Sequence, residues 1–219
     1  MQCDFWQVYG LTESTGIGTT FNPADHNNDH GKLRSCGKVY PGVEIKIVDE
    51  SNNSLPNNEV GEILIKSDVI MKGYWNRPEA NEDAIIDGWF YTGDAGYLDE
   101  DGFLYIHDRV KDMIISGGEN IYPAEIENAL MSHPDIADAA AVGIPDDKWG
   151  ETVKGFVILK QDSNITEKEI ITYTKEQIAA YKCPSSIDFI TEMPRNPSGK
   201  ILRRELRAPF WKDADRNVS

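Results

Sequence analysis

The chain has 219 residues, enough for one or two domains, and its 22 basic against 37 acidic side chains leave a formal charge of −15. Such an excess opposes non-specific binding to nucleic acid or an anionic membrane surface. No apolar run approaches the roughly 18 residues of a membrane span, MQCDFWQV lacks the charged-then-apolar order of a leader, and Cys3, Cys36 and Cys183 have no metal or disulfide spacing, so a cytoplasmic protein without a transmembrane segment or a nucleic-acid partner is expected.

From Gly10 to Ser35 the chain is rich in Gly, Thr, Asn, Asp and His with little periodicity, which predicts loop, and HNNDH (His26 to His30) reads as polar loop, not as a metal site. Next, Val43, Ile45 and Ile47 alternate with Glu44 and Lys46, and Ile63 to Ile65 form a second apolar run, so a mainly β subdomain is predicted. Tyr97-Leu98 and Phe103 to Ile106 flank Asp99 to Gly102, a hairpin turn in which Gly102 takes positive φ. An EF-hand loop is excluded there, because the chain passes straight from the glycine into an apolar strand and supplies no later glutamate.

From about Val110 strand and helix signals alternate in an α+β manner. Pro123 suits a first helical turn, with Ile126, Ala129 and Leu130 on one face through Met131. Ala139 to Ile144 and Val153 to Leu159 read as strands, Thr166 to Glu169 as a capping box starting a helix to about Ala180, and Ile187 to Ile190 as a last strand. Ile201, Leu202, Glu205 and Leu206 give a short amphipathic helix that Pro209 ends.

The basic charge is concentrated at the end of this region. Arg195 to Lys212 contains six basic residues and one acidic one, which fits either a solvated helix face or an anion-facing segment. Within it, Pro197-Ser198-Gly199-Lys200 reads as a flexible loop presenting one lysine. Ser116-Gly117-Gly118 follows a strand and reads as a tight turn whose backbone can approach a ligand closely, although it matches neither a P-loop nor GxGxxG.

Four segments in order are more specific than any one of them: YGLTE (Tyr9 to Glu13), YTGD (Tyr91 to Asp94), DRVKDMIISGGENIYPAEIE (Asp108 to Glu127) and PRNPSGK (Pro194 to Lys200). The series resembles the adenylate-forming superfamily of acyl-CoA synthetases, peptide-synthetase adenylation domains and firefly luciferase, over nearly the whole chain. The resemblance implies an α+β chain: residues 1–109 as the C-terminal portion of the large AMP-binding domain, 110–212 as a small mobile domain, and 213–219 as a tail. It implies ATP-dependent joining of a carboxylic acid to CoA through an acyl-AMP, with Mg²⁺. Tyr9, Gly10, Thr12 and Glu13 would lie beside the adenylate, Glu13 holding the metal. Asp94 would accept from the ribose hydroxyls, Arg109 would contact the same nucleotide, and Lys200 would bridge the carboxylate and the α-phosphate. Lys111 would be the hinge, and Ser116, Gly117 and Gly118 would line the CoA tunnel. Trp149 either lies near CoA or is a packed aromatic.

The family's phosphate loop, expected upstream of YGLTE, is not found in these residues, so the chain is expected to need the N-terminal half of the enzyme and to be inactive alone. Two other readings stay open: a non-catalytic docking module completed by another chain, and a peptide-synthetase adenylation domain.

Overall fold

The computed structural model describes residues 3–26 and 31–212. Residues 27–30 of HNNDH and the 213–219 tail lie outside the described residues. The chain divides into two compact units between Val110 and Lys111.

In the first unit, β1 (Gln7–Tyr9), β2 (Thr19–Phe21) and β3 (Lys38–Val39) form a small antiparallel sheet in that order. β2 corrects the expectation of loop from Gly10 to Ser35. Thr19 and Phe21 are buried, and the Thr19 hydroxyl donates to the Cys36 carbonyl at 2.6 Å; three residues, two of them polar, are too few to show an alternation. His26 is also not simply a polar-loop residue, since its ring meets Phe21 edge-on at 4.6 Å.

A second sheet follows the sequence pattern more closely. β4 (Val43–Val48), β5 (Gly61–Ser67), β6 (Ile85–Ile86), β7 (Trp89–Leu98) and β8 (Leu104–Arg109) pair antiparallel, with β5 between β4 and β7, and both β6 and β8 on β7. Helix α1 (Pro78–Ala84) leads into β6. Ile63, Leu64 and Ile65 are all fully buried, so both faces of β5 are covered there, as an uninterrupted apolar run requires. The Asp99 to Gly102 turn forms as expected: Gly102 has φ +78°, and Asp99 Oδ1 accepts from the amides of Asp101 and Phe103.

The second unit is built on one sheet with helices on both faces. A tight hairpin, β9 (Ile114–Ser116) and β10 (Glu119–Ile121), is followed by α2 (Pro123–Met131), the long hairpin β11 (Ile136–Asp146) and β12 (Gly150–Leu159), helix α3 (Glu167–Gln177), strand β13 (Ser186–Phe189) and helix α4 (Arg203–Trp211). The order is β10-β9-β12-β11, and β13 lies parallel to β12. The Ala139 to Val142 run is explained by period two in a strand buried on both sides: Ala139 and Ala141 join Ile126, Leu130 and Ile170 in one core cluster, while Ala140 and Val142 join Phe156, Met193 and Leu206 in another.

Three helix boundaries differ from expectation. Helix α3 starts on its capping box, with Glu169 N donating to Thr166 Oγ1 and Thr166 N to Glu169 Oε2, but it stops at Gln177 because Ile178 turns to extended torsions and packs on the core. Helix α4 begins only at Arg203, since Ile201 forms a bridge with Arg195. Pro209 lies inside α4 and does not end it. The helix is carried past the proline by tertiary contacts: Phe210 meets the Phe156 ring at 6.3 Å and Trp211 Nε1 donates to Gly143 O at 3.0 Å.

Candidate functional site

The β7–β8 pairing brings two of the expected residues together, and Tyr9 of β1 joins them through its hydroxyl. Asp94 and Arg109 are direct partners in register, next to a bulge between Ala95 and Gly96. Arg109 Nε lies 2.7 Å from Asp94 Oδ1, and the Tyr9 hydroxyl donates to Asp94 Oδ2 at 2.8 Å. The carboxylate is further fixed from its own backbone, because Asp94 N donates to Thr92 Oγ1, whose hydroxyl donates to Ile63 O. Asp94 is 8% exposed, whereas the Arg109 side chain is 41% exposed, so the pair joins a buried anion to a solvent-facing cation. Each oxygen of an ionised carboxylate can accept more than one hydrogen bond, so Asp94 keeps capacity for hydroxyl donors.

Burial pushes the Tyr9 phenol well above its ordinary range, and the charge and accepting oxygen of Asp94 add to the effect. Burial likewise raises the Glu62 carboxyl, opposed by the hydrogen bond that Gly93 N donates to Glu62 Oε1 at 3.0 Å, while the charge of Asp94 raises it further. Sequence reasoning did not find Glu62, which sits in no spacing that distinguishes it from an ordinary strand residue, and it took in Thr92 only as part of YTGD, without a role.

The YGLTE segment turns sharply. Thr12–Ser14 is a single 3-10 turn, and a side-chain carbon on Gly10 would meet the Gly16 carbonyl carbon at 2.3 Å, so Gly10 is required by the turn's own backbone. Thr12 is exposed. Glu13 is half-buried, and its Oε1 accepts from the Tyr74 hydroxyl at 2.8 Å while its carbonyl accepts from Met71 N. Tyr74 is another residue the sequence did not expose; burial and Glu13 push its phenol up, and Arg109 acts in the opposite sense. Among the described residues no group of three or more His, Cys, Asp or Glu could hold a metal. A lone Glu13 carboxylate fits Mg²⁺, which takes one or two carboxylates together with phosphate oxygens and water.

In the second unit Gly117 and Gly118 are the two turn residues between β9 and β10, with φ +61° and +88°, the torsions of a two-residue hairpin turn. Trp149 packs on this turn. Gly117 N donates to Trp149 O at 2.8 Å, and a side-chain carbon on Gly117 would meet Trp149 Cε3 at 2.9 Å. Gly118 faces open space. Trp149 is thus both packed and 50% exposed, with Lys148 Nζ 4.3 Å from its ring centroid. Ser116 stands beside it, paired in register with Gly150.

The loop before Lys200 is closed by hydrogen bonds to one side chain. Asn196 Oδ1 accepts from Ser198 N, Ser198 Oγ and Lys200 N at 3.0, 2.8 and 2.9 Å. An asparagine ahead of Pro-Ser-Gly is a turn former whose side chain bonds to its own downstream backbone, a signal the sequence carried. Arg195 reaches Gly199 O at 2.6 Å and Asp138 Oδ2 at 2.7 Å. Three of the six basic residues in the terminal stretch are thus paired with acids of their own unit: Arg195 with Asp138, Arg203 with Asp112 and Glu127, and Arg207 with Glu151. Lys200 is exposed, and among the described residues its ammonium has no hydrogen-bond or ion-pair partner. Lys111 is exposed in the 3-10 turn Val110–Asp112, where the two units meet in sequence.

Comparison with known proteins agrees with this arrangement of motifs. Residues 1–75 match the family model for AMP-binding enzyme, and residues 125–200 the one for AMP-binding enzyme C-terminal domain. The chain is 44% identical over its full length to the fatty acid–[acyl-carrier-protein] ligase ScoC of Streptomyces coeruleorubidus, covering 42% of that protein. It is 46% identical over 92% of its length to the 2-succinylbenzoate–CoA ligase of Geobacillus kaustophilus, covering 40% of it. Among solved structures, the o-succinylbenzoate CoA synthetase of Bacillus subtilis in complex with its acyl-adenylate intermediate superposes with TM-score 0.84 at 43% identity, over 92% of this chain and 40% of that one. ATP-bound MatB from Rhodopseudomonas palustris gives TM-score 0.84 at 32% identity, over 95% and 41%. The chain spans about two-fifths of the length of these relatives. No helix among the described residues is long and apolar enough to cross a membrane. With both family models matched in order and the same fold in its solved relatives, the chain belongs to the adenylate-forming, AMP-binding enzyme superfamily and corresponds to its C-terminal part.

Proposed function

We propose that this chain is the C-terminal part of an ATP-dependent ligase that activates a carboxylic acid as an acyl-adenylate and transfers the acyl group to the thiol of CoA. In the first half-reaction a carboxylate oxygen attacks the α-phosphorus of ATP, the bond to the bridging oxygen breaks, and pyrophosphate leaves. In the second, a thiolate attacks the acyl carbon and AMP leaves. The observation that carries the reading is Lys200: an exposed lysine whose backbone is held by a hydrogen-bonded loop, in a terminal stretch where Arg195, Arg203 and Arg207 are each paired with acids of their own unit.

Each residue then has a chemical task. Asp94, buried and held by Tyr9 and Arg109, accepts from the ribose hydroxyls, while Arg109, half in solvent, supplies charge beside the nucleotide. Tyr9, Gly10 and Thr12 shape the adenylate wall. Glu13 would hold Mg²⁺, which when bound supplies neutralising charge to the phosphates. Lys200 stabilises the charge shared between carboxylate and α-phosphate, a preorganised cation where charge develops. Ser116, Gly117 and Gly118, with Trp149 against them, form the surface offered to the pantetheine arm, and Lys111 is the residue whose torsions change between the half-reactions. Three free cysteines support a reducing, cytoplasmic setting.

The test joins this chain to the part of the G. kaustophilus ligase that it does not match and compares it with the chain alone. ATP/pyrophosphate exchange across a carboxylate panel is expected only for the joined protein, which also separates the reading from a non-catalytic docking module. CoA, an acyl-carrier protein and a peptide-synthetase carrier domain are then offered as acceptors. Lys200→Ala is expected to cut adenylation by ~10²–10³, with far less effect on thioester formation from supplied acyl-adenylate. Equal loss in both half-reactions would refute the role of Lys200.

A further inference from the structure

We propose that Asn196 is the positioning residue that aims Lys200; the inference rests on the catalytic reading of Lys200 given above. Asn196 captures the lysine from both sides of its backbone. Its side-chain oxygen accepts from Lys200 N at 2.9 Å, and its own amide donates to Lys200 O at 2.9 Å. The same side-chain oxygen takes Ser198 N and Ser198 Oγ, and the Asn196 carbonyl takes Gly199 N. One residue thus closes the loop 196–200 on itself. Arg195 anchors the closed loop outside, binding Gly199 O with one nitrogen and Asp138 of β11 with another.

The need for such a device follows from the lysine itself. A lysine carries its charge at the end of a flexible four-carbon stem, and among the described residues nothing holds the ammonium of Lys200. Its aim is set only by where its Cα stands and which way its backbone faces. A displacement of about 1 Å at a reacting group costs on the order of 10²-fold in rate. Because residues 197–200 are exposed, water replaces the three donors' partner when the oxygen is removed. Loss of the side chain therefore loosens the lysine with little effect on global stability, and this separates positioning from a merely structural role.

The experiment compares Asn196→Ala, Asn196→Asp and Lys200→Ala. Asn196→Asp keeps an oxygen where the three donors converge. In this chain, amide hydrogen exchange at Ser198 and Lys200 is expected to lose protection in Asn196→Ala and to keep it in Asn196→Asp, with the unfolding midpoint nearly constant in both. In the joined enzyme, Asn196→Ala is expected to lower kcat for ATP/pyrophosphate exchange about 10- to 100-fold with KM for ATP little changed, and Asn196→Asp to restore most of it. Retained protection at Lys200 in Asn196→Ala overturns the proposal. So does lost protection with wild-type kcat. If Lys200→Ala itself leaves adenylation intact, the catalytic reading of Lys200 fails and the assignment of Asn196 falls with it.

Discussion

Asp94 and Arg109 face one another across the β7–β8 hairpin, with Arg109 Nε 2.7 Å from Asp94 Oδ1 and the two residues in direct register. Because the second oxygen of Asp94 takes the Tyr9 hydroxyl, removing the carboxylate strands a half-buried donor. Asp94→Ala is expected to destabilise the first unit by roughly 1–3 kcal/mol, most of it from Tyr9, since the exposed Arg109 recovers its loss from water. Asp94→Asn, which keeps an acceptor, should lie between. Urea unfolding of the three proteins checks the order, and equal stability of Asp94→Ala and wild type would sink it.

Alkaline pH should weaken the same unit. The folded state holds the Tyr9 phenol above its ordinary value of 10.0, so the fold favours the protonated form. Its contribution is complete below pH 10.0 and is lost as pH rises above it, because there the unfolded chain releases a proton that the folded one keeps. Tyr74 and Tyr105, also raised by burial, act in the same direction. Urea midpoints measured from pH 9 to 11.5 are expected to fall, and Tyr9→Phe should make the decline shallower. An unchanged slope in Tyr9→Phe counts against the assignment.

The two glycines of the β9–β10 turn should not be equivalent. Gly118→Ala meets only the backbone cost of its positive φ, roughly 1–2 kcal/mol. Gly117→Ala adds a collision with the Trp149 ring, so it should be the more destabilising and should shift Trp149 fluorescence toward the solvent-exposed wavelength. If both variants gave the same stability and spectrum, the ring contact would carry no weight.

Lys111→Pro tests the hinge. Proline fixes φ near −65° and restricts Val110 before it. One half-reaction is expected to survive while the other falls about 10-fold or more, since a hinge must absorb a large torsional change. The readouts are pyrophosphate exchange and thioester formation from supplied acyl-adenylate. Normal rates in both would remove Lys111 from that role.

What the sequence made legible was what depends on neighbours along the chain. The alternation in β4, the apolar run of β5, the Asp99 to Gly102 turn and the Thr166 capping box each need only a few consecutive residues, and each appears in the structure. Family motifs supplied the site residues, but not the contacts that hold them. Tyr74 lies 61 positions from Glu13 and Tyr9 lies 85 from Asp94, so no local pattern links either pair. β2 and the run of α4 past Pro209 were hidden for the same reason: Phe21 is buried by its sheet and Phe210 is held by Phe156. Asn196 is the exception, because its turn chemistry was present in the sequence.

The residue after Asn196 has a bearing on the chemical durability of the loop. An ageing asparagine usually deamidates when the backbone nitrogen that follows attacks the side-chain carbonyl and closes a succinimide ring. Here that nitrogen belongs to Pro197, which has no hydrogen to lose, so the common route from asparagine to aspartate is closed. The backbone of the loop is thereby spared the isoaspartate linkage to which such a succinimide mostly opens, and which would lengthen the chain by one carbon between Asn196 and Pro197.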